Sequence, residues 1–125
     1  MATLLVNTGK AIVTNYLAGG AATQPSYVAW GTGAGTTALT DTTLFTESAS
    51  PASRATGTAT QQTTTTTDDT YQVIGTLTSG TSQTITNAGL FDAVTVGNLF
   101  VKGDFTGVAL TSGDSIQFTF KTQFS

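Results

Sequence analysis

The chain has 125 residues, room for one domain (1–125) and enough to bury roughly two thirds of its extended surface in a single core. Only 9% of its residues are charged, against a typical ~25%, and Thr supplies the missing polarity, which argues for β structure over disorder. Net charge is −3 with four cations, Lys10, Arg54, Lys102 and Lys121, too few and too scattered for a nucleic-acid footprint or an anionic membrane surface; no cysteine offers a disulfide or thiolate site.

Residues 1–8 hold a short apolar group, Leu4-Leu5-Val6, read as an edge strand or as an N-terminal arm that docks on a neighbour. Nothing here has the layout of a signal peptide, because Lys10 follows the first apolar run and Asn15-Tyr16 interrupts the second. Asn7 or Thr8 can N-cap a short helix over 9–18, where Ile12/Tyr16 and Val13/Leu17 recur four apart and Gly19-Gly20 ends it. Ser26 to Trp30 reads as a strand. Gly31-Thr32-Gly33-Ala34-Gly35 stops it, and with neither a following helix nor a Gly-Lys-Ser/Thr ending it is a turn, not a phosphate loop. Asp41 to Glu47 returns Leu44 or Phe45 to the core, with Asp41 in an Asx-type turn.

Residues 52–78 read as a long Thr-rich hairpin, with an outer polar strand, an Asp68-Asp69 tip and an inner strand that puts Tyr71, Val73 and Leu77 on one face. Ile85 to Asp92 is the most distinctive stretch, a central strand with Ile85 and Phe91 on one face and Gly89 allowing close backbone approach. Asn98 to Phe105 sets Leu99, Val101 and Phe105 on one face and leaves Phe100, read as exposed, on the other. Ser115 to Phe124 alternates strictly: Ile116, Phe118, Phe120, Thr122 and Phe124 point one way. Burying its four large apolar side chains contributes roughly 6–12 kcal/mol gross. The whole is mainly all-β, roughly six to eight strands with one short N-terminal helix, as an antiparallel β-sandwich or jelly-roll-like barrel.

Catalytic candidates are few. Without His or Cys the commonest general base, nucleophile and zinc ligands are missing. Most of the seven carboxylates sit at turn positions beside Gly or Thr and read as turn formers, so catalytic, cofactor and metal residues are all expected to be none. Asp68-Asp69 as a Ca²⁺ site is weighed against an ordinary hairpin tip and yields to it. Trp30, Tyr27, Tyr16 and Phe100 as a sugar platform yield to a core reading. Arg54 is expected to pair with Glu47 or Asp41.

A resemblance adds to this. Tyr27 to Gly33, Thr40 to Leu44, Glu47, Arg54, Ile85 to Asp92 and Leu110 to Ser115 form a pattern similar to small structural proteins of tailed bacteriophages. Relatives usually carry Glu where this chain has Asn87, so the resemblance leaves open whether position 87 meets Arg54. It implies a non-enzymatic virion protein, made in host cytoplasm and placed on the outer surface. The first expectation is a capsid decoration or cement protein that bridges major capsid subunits, with itself as a further partner. The alternative is a tail-fibre or tail-tip component meeting another tail protein or a host surface glycan. Interface candidates are Leu4, Leu5, Val6, Phe100, Asp68 and Asp69, with neither nucleic acid nor membrane as partner.

Overall fold

A computed structural model describes residues 2–125 and shows two antiparallel sheets and one helix. The strands are β1 (Ala2–Leu5), β2 (Tyr27–Gly31), β3 (Ala55–Thr56), β4 (Thr58–Gln62), β5 (Thr70–Thr78), β6 (Gln83–Phe91), β7 (Leu99–Leu110) and β8 (Ser115–Gln123); the helix, α1, spans Asn7–Leu17. The large sheet runs β1-β7-β6-β2-β3 and the small one β4-β5-β8, so β6 is indeed central. Among the described residues neither sheet closes on itself: the fold is a sandwich, and the barrel alternative falls away.

The helix starts two residues earlier than its spacing suggests. Val6 is the N-cap, and neither Asn7 nor Thr8 caps it; the Thr8 hydroxyl donates instead to Leu99 O at 2.6 Å, which ties the first turn to β7. The stop is as expected. Gly19 takes φ 78°, Gly20 N–H donates to Asn15 O and Gly19 N–H to Tyr16 O, a Schellman ending that needs a residue free of a Cβ at the left-handed position.

Alternation along β5 and β8 builds the inter-sheet core. Val73 and Leu77 are buried, Tyr71 is half-buried, and Phe118 and Phe120 stack at 5.9 Å. Val28 and Trp30 of β2, Ile85, Ala88 and Leu90 of β6, and Phe100 and Val101 of β7 complete it. Phe124 does not share this burial, being 46% exposed beyond the end of β8.

Two bulges overturn the parity expected on β6 and β7. The β6–β7 register shifts between Ile85 and Asn87 and again between Leu90 and Phe91. The first shift sets three residues of β7, 105–107, against Thr86 alone, and the second leaves Phe100 with no partner between Leu90 and Phe91, so the alternation of faces breaks at both places. Ile85 therefore lies in the inter-sheet core, whereas Phe91 joins a second cluster on the other side of the large sheet, with Val6, Ala29, Leu44 and Leu99. By the same shift Leu99 and Val101 part company, and Phe100, read from sequence as exposed, is 2% exposed with its ring edge-on to Tyr71.

Candidate functional site

The long connection from Thr32 to Arg54 covers the outer face of the large sheet, and buried polar side chains hold it there. Lys102 projects from β7 into this layer with 1% of its side chain exposed. Its ammonium donates to Asp41 Oδ2 and to Thr43 O, both at 2.9 Å, and sits 3.2 Å from the centre of the Phe45 ring. Two oxygens and an aromatic face replace the lost water. Partial burial works to raise the Asp41 pKa; the Ala38 N–H and the Lys102 ammonium outweigh it, and the net direction is downward.

Asn87, fully buried on β6, treats Phe45 as a strand partner. Its Oδ1 accepts the Phe45 N–H at 3.0 Å and its Nδ2 donates to Phe45 O at 3.1 Å. Only a primary amide offers a donor and an acceptor in that geometry; a carboxylate has no proton for Phe45 O. The question of position 87 and Arg54 is thereby answered: Asn87 binds Phe45, and Arg54 binds Glu47. The glycines of Gly31-Thr32-Gly33-Ala34-Gly35 serve the same contact. A Cβ on Gly31 would lie 2.5 Å from Phe45 O, and one on Gly35 2.7 Å from the Phe45 ring, so the segment is a cradle for Phe45.

Arg54 fastens two loops together. It forms a two-pronged pair with Glu47, Nε to Oε2 and Nη2 to Oε1, both 2.9 Å. Its Nη1 donates to Ala93 O and Val96 O, and its guanidinium lies 3.6 Å from the centre of the Phe91 ring. The β6–β7 loop is thus held with Val94 and Val96 facing outward; Val96 is 84% exposed at φ 56°, a backbone region that β-branched residues rarely adopt.

Several of the carboxylates are turn formers, as their neighbours suggest, but by an arrangement that local sequence does not reveal. In three turns an Asp accepts the N–H of the residue three before it while donating its own N–H to that residue's carbonyl: Ala38 with Asp41, Thr66 with Asp69, and Thr111 with Asp114. This reach backwards replaces the Asx turn expected at Asp41. Asp92 makes a similar exchange with Asn98 across its loop, Asp104 accepts the N–H and hydroxyl of Thr37, and Glu47 holds Arg54. Of the seven carboxylates only the Asp68 side chain has no such bond among the described residues. The Thr37 hydroxyl and N–H hold the Asp104 pKa below the usual carboxylate range, and at Asp69 the N–H groups of Thr66, Thr64 and Thr65 do so far more strongly. Among the described residues no three His, Cys, Asp or Glu side chains gather as a metal site.

The interface candidates separate. Leu4 and Leu5 are half-buried on β1, paired with Lys102 and Val101 of β7. Val6 is fully buried, so the apolar group is an edge strand and helix cap rather than a free arm; Met1, at the start of the expected arm, lies outside the described residues. Phe100 is buried and presents nothing to a partner. Asp69 is spent on its own loop, while Asp68, at φ 60°, is exposed. The aromatic platform does not assemble either: Trp30 is 1% exposed with Nε1 donating to Ser50 O, and Phe100 lies inside. Sequence reasoning missed two surface features. One is the Val94/Val96 tip. The other is an apolar hollow lined by Val13, Tyr16, Leu17, Tyr71 and Phe124, where Leu17 is 82% exposed and burial pushes the Tyr71 pKa up to about 12. Leu17 carried a signal, being the last helical residue on an otherwise apolar face.

Comparison with known families follows this geometry closely in extent. A family model described as podophage GP4 fiber I protein gp80 matches residues 5–123. The chain belongs to this family. The match takes in α1, the strands from β2 to β8, the loop layer and the β6–β7 tip. It makes the protein a bacteriophage structural protein and a component of the virion. Curated proteins and solved structures contain no match to the chain.

Proposed function

We propose that the chain is a non-enzymatic structural module of a podophage tail fibre, made in the host cytoplasm and displayed on the outside of the particle. The observation that carries this is the fibre-protein family spanning residues 5–123; it fits a tail-fibre component better than a capsid cement protein. The geometry supports a role by contact. Six of the seven carboxylates and the buried Lys102 and Arg54 are occupied as internal pins, while exposed Leu17, Tyr16, Phe124, Val94 and Val96 offer apolar surface. Its partners in this reading are other tail chains. Mass spectrometry of separated tails and DNA-filled heads, with immunogold labelling, tests it. The chain is expected on tails at a few to a few tens of copies per particle, far below a shell-covering protein. Recovery on heads alone would overturn the fibre reading and restore the cement one.

A further inference from the structure

We propose that the free edge of β8 accepts a single extended strand from a neighbouring chain of the particle, which adds a fourth strand to the small sheet. The inference rests on the chain being part of an assembled virion.

Two backbone bonds fix the phase of β8. Ser79 N–H donates to Asp114 O at 2.8 Å and Phe124 N–H to Asp69 O at 2.9 Å, at the two ends of an unbroken β5–β8 register. In an antiparallel ladder hydrogen-bonded pairs alternate with pairs whose groups point away. Ile116, Phe118, Phe120 and Thr122 therefore aim their N–H and C=O at β5, and Gln117, Thr119 and Lys121 aim theirs outward. No other strand among the described residues pairs with that side. Proteins usually blunt such an edge with Pro, a bulge or charge; β8 has nine residues, no Pro, no bulge and Lys121 alone.

The space beside this edge has the shape of the missing strand. Five strands lie under three, and the uncovered part of the large sheet meets β8 in a groove lined by Thr3, Gly103, Phe105, Phe118, Phe120 and Lys121. A strand one spacing of ~4.8 Å out from β8 would lie over β7. Its alternate side chains would cover Phe105 and Phe118, whose rings stand 6.3 Å apart and only half-buried.

The same layout selects the occupant. A second copy pairing through its own β8 would bring its large sheet into the layer that β7 and β1 already fill, so the site admits a lone extended segment and not a sandwich edge. Among the described residues Lys121 is the only charged one on β8 and along the groove's lining, and it stands on the outer face of the small sheet. The strand that fits has small or medium apolar residues at every second position and an acidic residue opposite Lys121, on the same outer face.

Hydrogen exchange by mass spectrometry on the free chain and on intact particles tests this, after the tails have been shown to contain the chain. In the free chain the amides of Gln117, Thr119 and Lys121 should exchange fast; in particles they should slow at least about tenfold, while those of Phe118 and Phe120 are protected in both. A photo-cross-linker at position 119 should capture one extended segment of another chain, and one at Thr76 should not. Thr119→Pro removes an outward N–H and no bond to β5, so it should abolish incorporation into particles with the free chain still folded. Lys121→Glu, a surface change, should lower incorporation by at least about tenfold through repulsion of the acidic partner. Unchanged exchange at the edge in tails that contain the chain, wild-type incorporation of either variant, or capture of a second copy's sheet edge would overturn the proposal. Absence of the chain from tails would instead strike the fibre reading.

Discussion

The two faces of the large sheet are held by different chemistry. Between the sheets lies a dry core of Val28, Trp30, Val73, Leu77, Ile85, Leu90 and Phe120, where two regular surfaces meet and every second residue falls inside. On the opposite face the cover is an irregular connection. There a small apolar cluster of Val6, Ala29, Leu44, Phe91 and Leu99 is accompanied by buried Lys102 and Asn87 and by the Arg54–Glu47 pair. A loop has no periodic apolar stripe and carries backbone groups without ladder partners. Side chains must satisfy those groups and choose the loop's path: Asn87 pins Phe45, Lys102 pins Thr43 and Asp41, and Arg54 joins the second loop. The contrast is between a core that tolerates any well-shaped apolar residue and a layer that depends on particular hydrogen-bonding groups.

Substitutions should separate the two regimes. Phe120→Ala, inside the dry core, is expected to cost about 3–5 kcal/mol in a urea melt, and a loss below about 1 would show that β8 packs loosely. Phe118, half-buried at the groove, should cost less than Phe120 on the same change. Lys102→Ala strands Asp41 and Thr43 O in the loop layer and should cost about 2–4 kcal/mol, less than a fully buried pair because Asp41 keeps 20% of its side-chain surface in water. Lys102→Met with Asp41→Leu should recover most of that loss; failure to recover it would mean that the charge pair stabilises more than an apolar replacement can. Asn87→Leu keeps the volume but leaves the N–H and C=O of Phe45 unpaired, for about 1–3 kcal/mol, with Leu44 and Phe45 losing protection in hydrogen exchange before the inter-sheet core does.

The smallest effect concerns pH. Asp41, Asp69 and Asp104 all have folded-state pKa values below their unfolded ones. A depressed carboxylate contributes stability above its unfolded pKa of about 3.9 and loses it as pH falls through the lower folded value. Melting temperature should therefore be level between neutrality and about pH 5 and then decline below about pH 4. Asp69→Asn should flatten that decline, and an unaltered acid profile for it would show that the Thr63–Asp69 tip does not couple to global unfolding.

Much of the dry core is legible along the chain, because alternation and burial are the same fact on a flat strand. The strands of β2, β5 and β8, the helix and its Gly19-Gly20 stop follow from spacing alone. Phe100 shows the limit. Alternation with Val101 and Phe105 assigns it to the outside, but Phe100 is the extra residue opposite Leu90 and Phe91 and turns inward beside Val101. A bulge is one residue of slack, cheap enough that local composition does not mark it. Nothing in the local sequence marks Lys102 and Asn87 as buried, since their partners, Asp41, Thr43 and Phe45, lie more than 40 residues away in the chain.

Local sequence sets the material of each layer: strands of period two, a single helix, turns closed by Asp, and few charges. Only the tertiary structure decided which face each residue serves, that Gly31-Thr32-Gly33-Ala34-Gly35 wraps Phe45, that the carboxylates are spent on turns and buried cations, and that the edge of β8 is open. Period and propensity act over a few residues, within one element. Register, bulges and buried charge pairs depend on where distant segments meet, and that is set by the packing of the two sheets and the loop across them.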